Sequence, residues 1–220
     1  YVADKNLSVL DSHKLINKAR LVRIENALPM IEFQPVSRSE LGISEQAFVL
    51  TLTSRAMEEK GWQEAIDIVT AARKLSGKDI HLLLIGDGTE YDRLLGLELP
   101  AYIHLEGFQR NVRGYFAVAD VGFLPSKFRG ESFPLVIIEC LQAGRPFLAS
   151  DLGDIAHMLS SRDGPAGILV QLDGAGIDVE LWSEKIGALA SDRRLYDRLR
   201  SRVSSAVQKF DATVMGERYD

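Results

Sequence analysis

Two glutamates, Glu131 and Glu139, bracket the stretch "SFPLVII", seven residues that include a proline and four large aliphatics. A carboxylate inside an apolar run needs a cleft, a partner or a ligand, because burial alone in a low-dielectric interior is costly. Pro134 suits the first helical position, having no N–H to lose, and Gly144 followed by Pro146 stops a helix, so the spacing predicts a helix from Pro134 to Ala143. Glu131 then lies in the loop ahead of it. On the helix Val136, Ile137, Cys140 and Leu141 face a core, which leaves Glu139 at the border of a cleft. The helix start offers free backbone N–H groups and a partial positive charge, a seat for an anion such as a diphosphate. Hydroxyls are the natural ligand of the deeper carboxylate, whose two oxygens can accept from both hydroxyls of a ribose diol.

The elements that must position these groups are legible as an alternation. From residue 47 onward, short apolar runs at 47–52, 79–86, 102–107, 120–126, 146–150 and 167–170 alternate with segments of helical period. Several runs are apolar at consecutive positions, as strands buried on both faces of a parallel sheet require. Between the first two, Trp62, Ala65, Ile66, Val69 and Ala72 form one stripe of an amphipathic helix. The order predicts an α/β fold: a doubly wound, Rossmann-like parallel sheet of about six strands with flanking helices, whose ligands bind at the carboxyl ends of the strands. Residues 1–28 fit this plan poorly. They offer one strand-like piece, "ARLVRIENA", and read as the tail of a preceding domain or as an extension packed on this one, with 29–46 as linker and 47–220 as the domain itself. After the last strand come two helices separated by the short break "ASDRR".

"ESFPLVIIE" resembles the E-x7-E signature of the family four retaining nucleotide-sugar glycosyltransferases, which have two facing Rossmann-like domains, the GT-B fold. "SRAMEEKGW", "LLLIGDGTEYDRL", "IHLEGFQRNVRGYFAVADVGFLPS" and "AGRPFLASDLGDIAHML" resemble further segments of that family in its own order, over residues 22–172. The match is to the C-terminal, donor-binding half. The resemblance implies that Arg55 and Lys60 clamp the donor diphosphate, a task that suits a guanidinium fork and an ammonium point charge. It implies that Glu139 holds the ribose hydroxyls, that Glu131 lies near the transferred sugar, and that the backbone through Ser132, Phe133, Pro134 and Leu135 follows the phosphate and sugar. Since proline has no N–H, Phe133 and Leu135 supply the amides. Phe108 and Gln109 occupy the turn near the base. Arg55, Lys60 and Glu131 are thus the catalytic candidates. The implied chemistry is front-side displacement assisted by the leaving diphosphate, with no obligatory cofactor or metal.

Two positions depart from the family pattern: Ser54 stands for the usual glycine before the arginine, and Asp154 for a second glycine after Gly153. The acceptor domain would precede residue 1, so the sequence is expected to be part of a longer protein and nearly inactive alone. Its partners would be a UDP- or GDP-sugar and an N-terminal acceptor domain, with any membrane contact made through that other half.

Plainer readings stand beside these. Arg55 and Lys60 could be a solvated loop and helix start paired along "MEEK", Glu139 a structural helix carboxylate, and Glu131 a capping residue. "GDGTEY" lacks the G-x-G-x-x-G spacing and reads as a tight turn before a helix. His13, His81, His104 and His157 share no spacing and read as packed or surface residues, Cys140 as a small core residue. A nucleotide-sugar epimerase of the same fold, or a noncatalytic nucleotide-sugar-binding module, would use the same pocket. Composition excludes other classes. With 46% hydrophobic and 26% charged residues the chain can build a core, and a net charge of −5 argues against nonspecific nucleic-acid binding. One cysteine excludes an intrachain disulfide and, with no apolar run of membrane-span length and no basic-then-apolar leader order in the sequence, fits a cytoplasmic setting.

Overall fold

The computed structural model describes residues 7, 23–172 and 176–217. Its strands are β1 (Phe48–Thr53), β2 (Ile80–Ile85), β3 (Ile103–Gly107), β4 (Val121–Leu124), β5 (Phe147–Ser150) and β6 (Gly167–Val170). All pair in parallel, in the order β3-β2-β1-β4-β5-β6. Each apolar run became a strand to within two residues. A 3-10 turn (Glu58–Lys60) and α1 (Trp62–Ser76) follow β1, α2 (Thr89–Leu95) follows β2, and α3 (Val112–Val118) follows β3. Beyond β4 come α4 (Leu135–Gln142), α5 (Ile155–Leu159), α6 (Val179–Ser191), α7 (Arg193–Ser201), α8 (Val203–Val207) and α9 (Ala212–Glu217). The chain builds outward from β1 in one direction, then returns and builds outward from β4 in the other. Loops leaving β1 and β4 therefore diverge, opening a crevice at their carboxyl ends.

Both faces of the sheet are covered, which is why its central strands are apolar at consecutive positions. Leu82 and Leu84 pack in a cluster with α1 and α6, whereas Leu83 and Ile85 pack against α3. The expected α1 stripe is buried, and it meets Trp182, Ile186 and Leu189 of α6. Phe116, Ile137, Ile138, Phe147 and Phe210 fill a further cluster on the opposite face. The "GDG" segment is the expected tight turn before α2: Gly86 has φ 141°, and a Cβ there would lie 1.9 Å from the Ser54 carbonyl oxygen. Glycine lets the β2 turn run against the loop that leaves β1.

The first break in the C-terminal segment falls within the expected "ASDRR" and is a single residue, Asp192, whose carboxylate accepts from the N–H groups of Arg194 and Leu195 and so starts a new helix at once. The second expected helix is instead two, α7 and α8, followed by a 3-10 turn (Gln208–Phe210). His13 and residues 19–22 of the strand-like piece lie outside the described residues. Over 23–28 there is no strand, only a parallel bridge between Leu28 and Asp211, and Ala27 and Leu28 pack against the core. Val36 and Leu41, within the segment read as linker, pack beside α3 with Ile43 and Ala47. No helix among the described residues is long and apolar enough to cross a membrane.

Parallel register brings two of the histidines together. His81 Nδ1 and His104 Nε2 lie 2.9 Å apart with rings stacked at 5.2 Å, and Asp79 is 3.2 Å from His81 Nε2. Burial lowers the pKa of both. Asp79 partly offsets this for His81, while the His81 charge adds to it for His104, which falls from 6.5 to about 4. At His104 the unfolded chain therefore binds more protons than the folded one between those values, so this group's contribution to stability is fully present above pH 6.5 and is lost as the pH falls through the window. Thermal unfolding between pH 7 and 4 should show that decline, and His104→Gln, which cannot charge, should flatten it; an unaltered slope would break the link.

Candidate functional site

The loop after β1 is fastened on three sides. The Ser54 hydroxyl accepts from Trp62 Nε1 (3.0 Å) and donates to the Arg55 carbonyl (3.0 Å), so this serine ties the Arg55 loop to α1 where the family pattern has glycine. The Ala56 N–H donates to the Asp87 carbonyl (2.7 Å), joining the loop to the β2 turn. Gly61, at φ 77°, could carry no side chain, since a Cβ would sit 2.0 Å from the Pro125 carbonyl oxygen. The Lys127 N–H completes the closure by donating to the Glu59 carbonyl (2.7 Å). Lys60 is thus held against the loop that leaves β4.

Between the two loops lies a cavity of about 160 Å³. The β1 side contributes Thr53, Ser54, Arg55 and Lys60; the β4 side contributes Leu124, Glu131, Pro134, Leu135 and Val136. Lys60 Nζ is 2.6 Å from Glu131 Oε2 and 4.6 Å from the centre of the Phe128 ring, and the side chains of the pair are only 11% and 8% exposed. Arg55 is exposed at the mouth. The Glu131–Pro134 loop is pinned from behind. The Asp154 N–H donates to the Ser132 carbonyl (2.8 Å), the Asp154 carboxylate accepts from Arg23 (2.8 Å), and Phe133 is buried edge-on to Phe210 at 5.8 Å. Only the backbone of Phe133 is left for a ligand.

Two details of α4 correct the sequence expectation. Pro134, with ψ 113°, is the N-cap rather than the first helical residue, so Leu135 presents the first helical amide, which has no intrahelical acceptor. The fully buried stripe is Ile137, Ile138, Cys140 and Leu141, while Val136 is half-buried, packing against that core and also lining the cavity. Glu139 lies three residues beyond Val136 and four beyond Leu135, on the same helical face as those two lining residues. It does not line the cavity itself. Burial raises the pKa of its carboxyl, opposed by the positive charge of Arg113. Phe108 and Gln109 lie beyond the carboxyl end of β3, also outside the cavity; Phe108 is 65% exposed and Gln109 donates to the Glu106 carbonyl (2.7 Å). Burial pushes the Cys140 thiol well above its ordinary pKa, so it is no nucleophile.

Sequence reasoning missed Thr53 and Phe128. The Thr53 hydroxyl is buried in the cavity wall with no hydrogen-bond partner among the described residues. Its place at the end of β1, two residues before Arg55, was the available signal. Phe128 carried none, because its role depends on Lys60, 68 positions earlier, reaching over its ring. Two cations, a helix start and an orphan hydroxyl around one cavity can bind an oxyanion and stabilise negative charge that grows on it.

Comparison with known proteins agrees with this architecture. The chain is 30% identical over 178 residues to N-acetyl-alpha-D-glucosaminyl L-malate synthase of Bacillus anthracis, an alignment covering 77% of the chain and 43% of that protein. It is 30% identical over 141 residues to phosphatidyl-myo-inositol mannosyltransferase of Mycobacterium tuberculosis, covering 62% of the chain and 36% of that protein. The chain thus spans less than half the length of both relatives. Anabaena Alr3699/HepE, solved in complex with UDP-glucose, shares the fold with a TM-score of 0.74 at 20% identity, over 90% of this chain and 55% of that one. The sequence profile described as Glycosyl transferases group 1 matches residues 47–192, and the chain belongs to that family.

Proposed function

We propose that this chain is the donor-binding half of a retaining glycosyltransferase that takes a UDP- or GDP-sugar and passes the sugar to a glycan, lipid or other acceptor. The observation that carries the reading is the convergence of Arg55, Lys60, Glu131 and the start of α4 on one cavity where the strand order reverses. At about 160 Å³ it is well below the roughly 300–1,000 Å³ of a pocket enclosing a drug-sized ligand, which suits the diphosphate end of a donor whose remainder lies along the open crevice. Arg55 and Lys60 grip the phosphates, Glu139 takes the ribose hydroxyls, and Phe108 with Gln109 flank the base. Glu131, paired with Lys60, borders the sugar. The activities of the relatives and the UDP-glucose of HepE support this donor class.

In the proposed reaction the bond from the anomeric carbon to the diphosphate oxygen breaks, and the acceptor oxygen bonds that carbon on the same face. The acceptor proton passes to the departing phosphate oxygen. Arg55 and Lys60 offset the charge the leaving group gains, and no obligatory cofactor is called for. An acceptor domain ahead of the described fold would hold the second substrate, with residues 1–28 as its tail and 29–46 as the linker. It would carry any membrane contact of a cytoplasmic enzyme. The 220-residue chain then binds donor but does not transfer, since positioning of the two reactants supplies about 7–11 kcal/mol of barrier reduction.

Calorimetric titration of the chain with UDP and GDP should show binding of one base in preference to the other. Glu139→Ala should weaken it about tenfold or more, the worth of a hydrogen bond to a charged group; binding of neither nucleotide would reject the donor-site reading. In the full-length enzyme Arg55→Ala and Lys60→Ala should each reduce sugar transfer by about 10²-fold or more. Normal turnover in either variant would remove that residue from the catalytic account.

A further inference from the structure

A second, larger cavity of about 790 Å³ lies at the opposite end of the sheet. Its walls include Phe48 at the start of β1, Asp120 just ahead of β4 and Arg145 just ahead of β5, so it sits at the amino ends of the strands, away from Arg55 and Lys60. Its size is that of a small-molecule pocket. Three arginines line it, Arg38, Arg145 and Arg193, against two acids, Glu45 and Asp120, in a chain whose net charge is −5.

These charges are not equally satisfied. Arg38 is consumed by the structure: it donates to the carbonyls of Val118, Glu45 and Ala47 and to the Asp120 carboxylate (3.1 Å). Asp120 is consumed in turn, since the same oxygen accepts from the Val49 N–H (2.8 Å). Glu45 is exposed. Arg193, 76% exposed, leans over the Tyr196 ring (5.6 Å) and reaches Asp197 (2.9 Å) at the surface. Arg145 differs from the others. It is half-buried, it donates to the Ala117 carbonyl, and among the described residues no carboxylate pairs with it. Its Nε–H is buried without a partner. A half-buried guanidinium without a counterion is costly, and an anionic ligand that meets its terminal nitrogens from the cavity supplies one. Tyr196 lines the same cavity: its ring lies under Arg193 (5.6 Å), and its hydroxyl donates to the Asp120 carbonyl (3.3 Å). Burial and the Asp120 charge raise the phenol above its ordinary pKa, opposed by the charge of Arg145 and a hydrogen bond to it.

We propose that this cavity is a second binding site, for a small metabolite carrying a phosphate monoester, with Arg145 gripping the phosphate and Arg193 as the second cation. A phosphate monoester brings up to about two charges and three acceptor oxygens and uses both guanidinium groups, whereas a carboxylate is satisfied by one fork. Gln46 and Ser191, also on the walls, suit hydroxyls on the rest of the ligand.

The test is a titration of the full 220-residue chain with inorganic phosphate, followed by amide chemical shifts, with sodium chloride at equal ionic strength as control. The expected result is saturable shifts at residues 117–120 and 189–196, retained in Arg55→Ala. Affinity should fall about tenfold in Arg145→Gln, the worth of a charged hydrogen bond, recover largely in Arg145→Lys, and fall several-fold in Arg193→Gln. Shifts confined to residues 53–60 and 131–136, equal shifts with chloride, or unchanged affinity in both glutamine variants would overturn the proposal. Should Arg145→Gln fail to fold, the exposed Arg193 decides: a several-fold loss in Arg193→Gln supports the site and unchanged affinity rejects it.

Discussion

The ion pair between Lys60 and Glu131 spans the point where the strand order of the sheet reverses, and the geometry of the crevice depends on it. Neither partner is well solvated. A buried pair of this kind is a poor source of net stability, because the desolvation of both ions consumes most of their attraction, yet losing one partner typically costs about 3–5 kcal/mol. Its value lies in placement. The pair fixes an ammonium group between two loops that the Lys127 N–H to Glu59 carbonyl bond also joins, on the same cavity as the exposed guanidinium of Arg55.

Most of the surrounding structure can be understood as support for that placement. Trp62 anchors Ser54, Gly61 allows the 3-10 turn to lie against Pro125, and the β4 loop closes back through Lys127 onto Glu59. On the other side the Asp154 N–H holds the Ser132 carbonyl while its carboxylate holds Arg23, so one residue joins the segment ahead of the domain to the loop that carries Glu131. Both departures from the family pattern, Ser54 and Asp154, are therefore buried or half-buried fasteners of the site rather than surface drift.

Strands and helix faces were legible in the sequence because each is a local consequence of burial. Leu82 through Ile85 are consecutively apolar because both faces of β2 are covered, and the Trp62-to-Ala72 stripe reports its own face of α1. The candidate site residues came from an ordered series of motifs; the structure brings Arg55, Lys60, Glu131, Pro134 and Leu135 to one cavity and leaves Glu139, Phe108 and Gln109 outside its lining. Contacts set by strand register were not legible. Glu131 pairs with a lysine 71 positions away, and His81 meets His104 only because β2 and β3 align Leu83 with His104. The one-residue shift at the start of α4, with Pro134 as N-cap, is less than a propensity argument resolves. The cavity at Arg145 draws on five separated segments, and no local pattern announces it.

The sheet thus carries cations at both ends, with different degrees of satisfaction, and the central claim concerns the end where β1 and β4 diverge. A crystal structure of the chain with bound UDP or GDP tests it most directly. The account predicts diphosphate oxygens within hydrogen-bonding distance of the Arg55 guanidinium and Lys60 Nζ, with the ribose hydroxyls on the Glu139 carboxylate. A diphosphate bound elsewhere, or bound in that crevice with Arg55 and Lys60 turned away from it, would contradict the account.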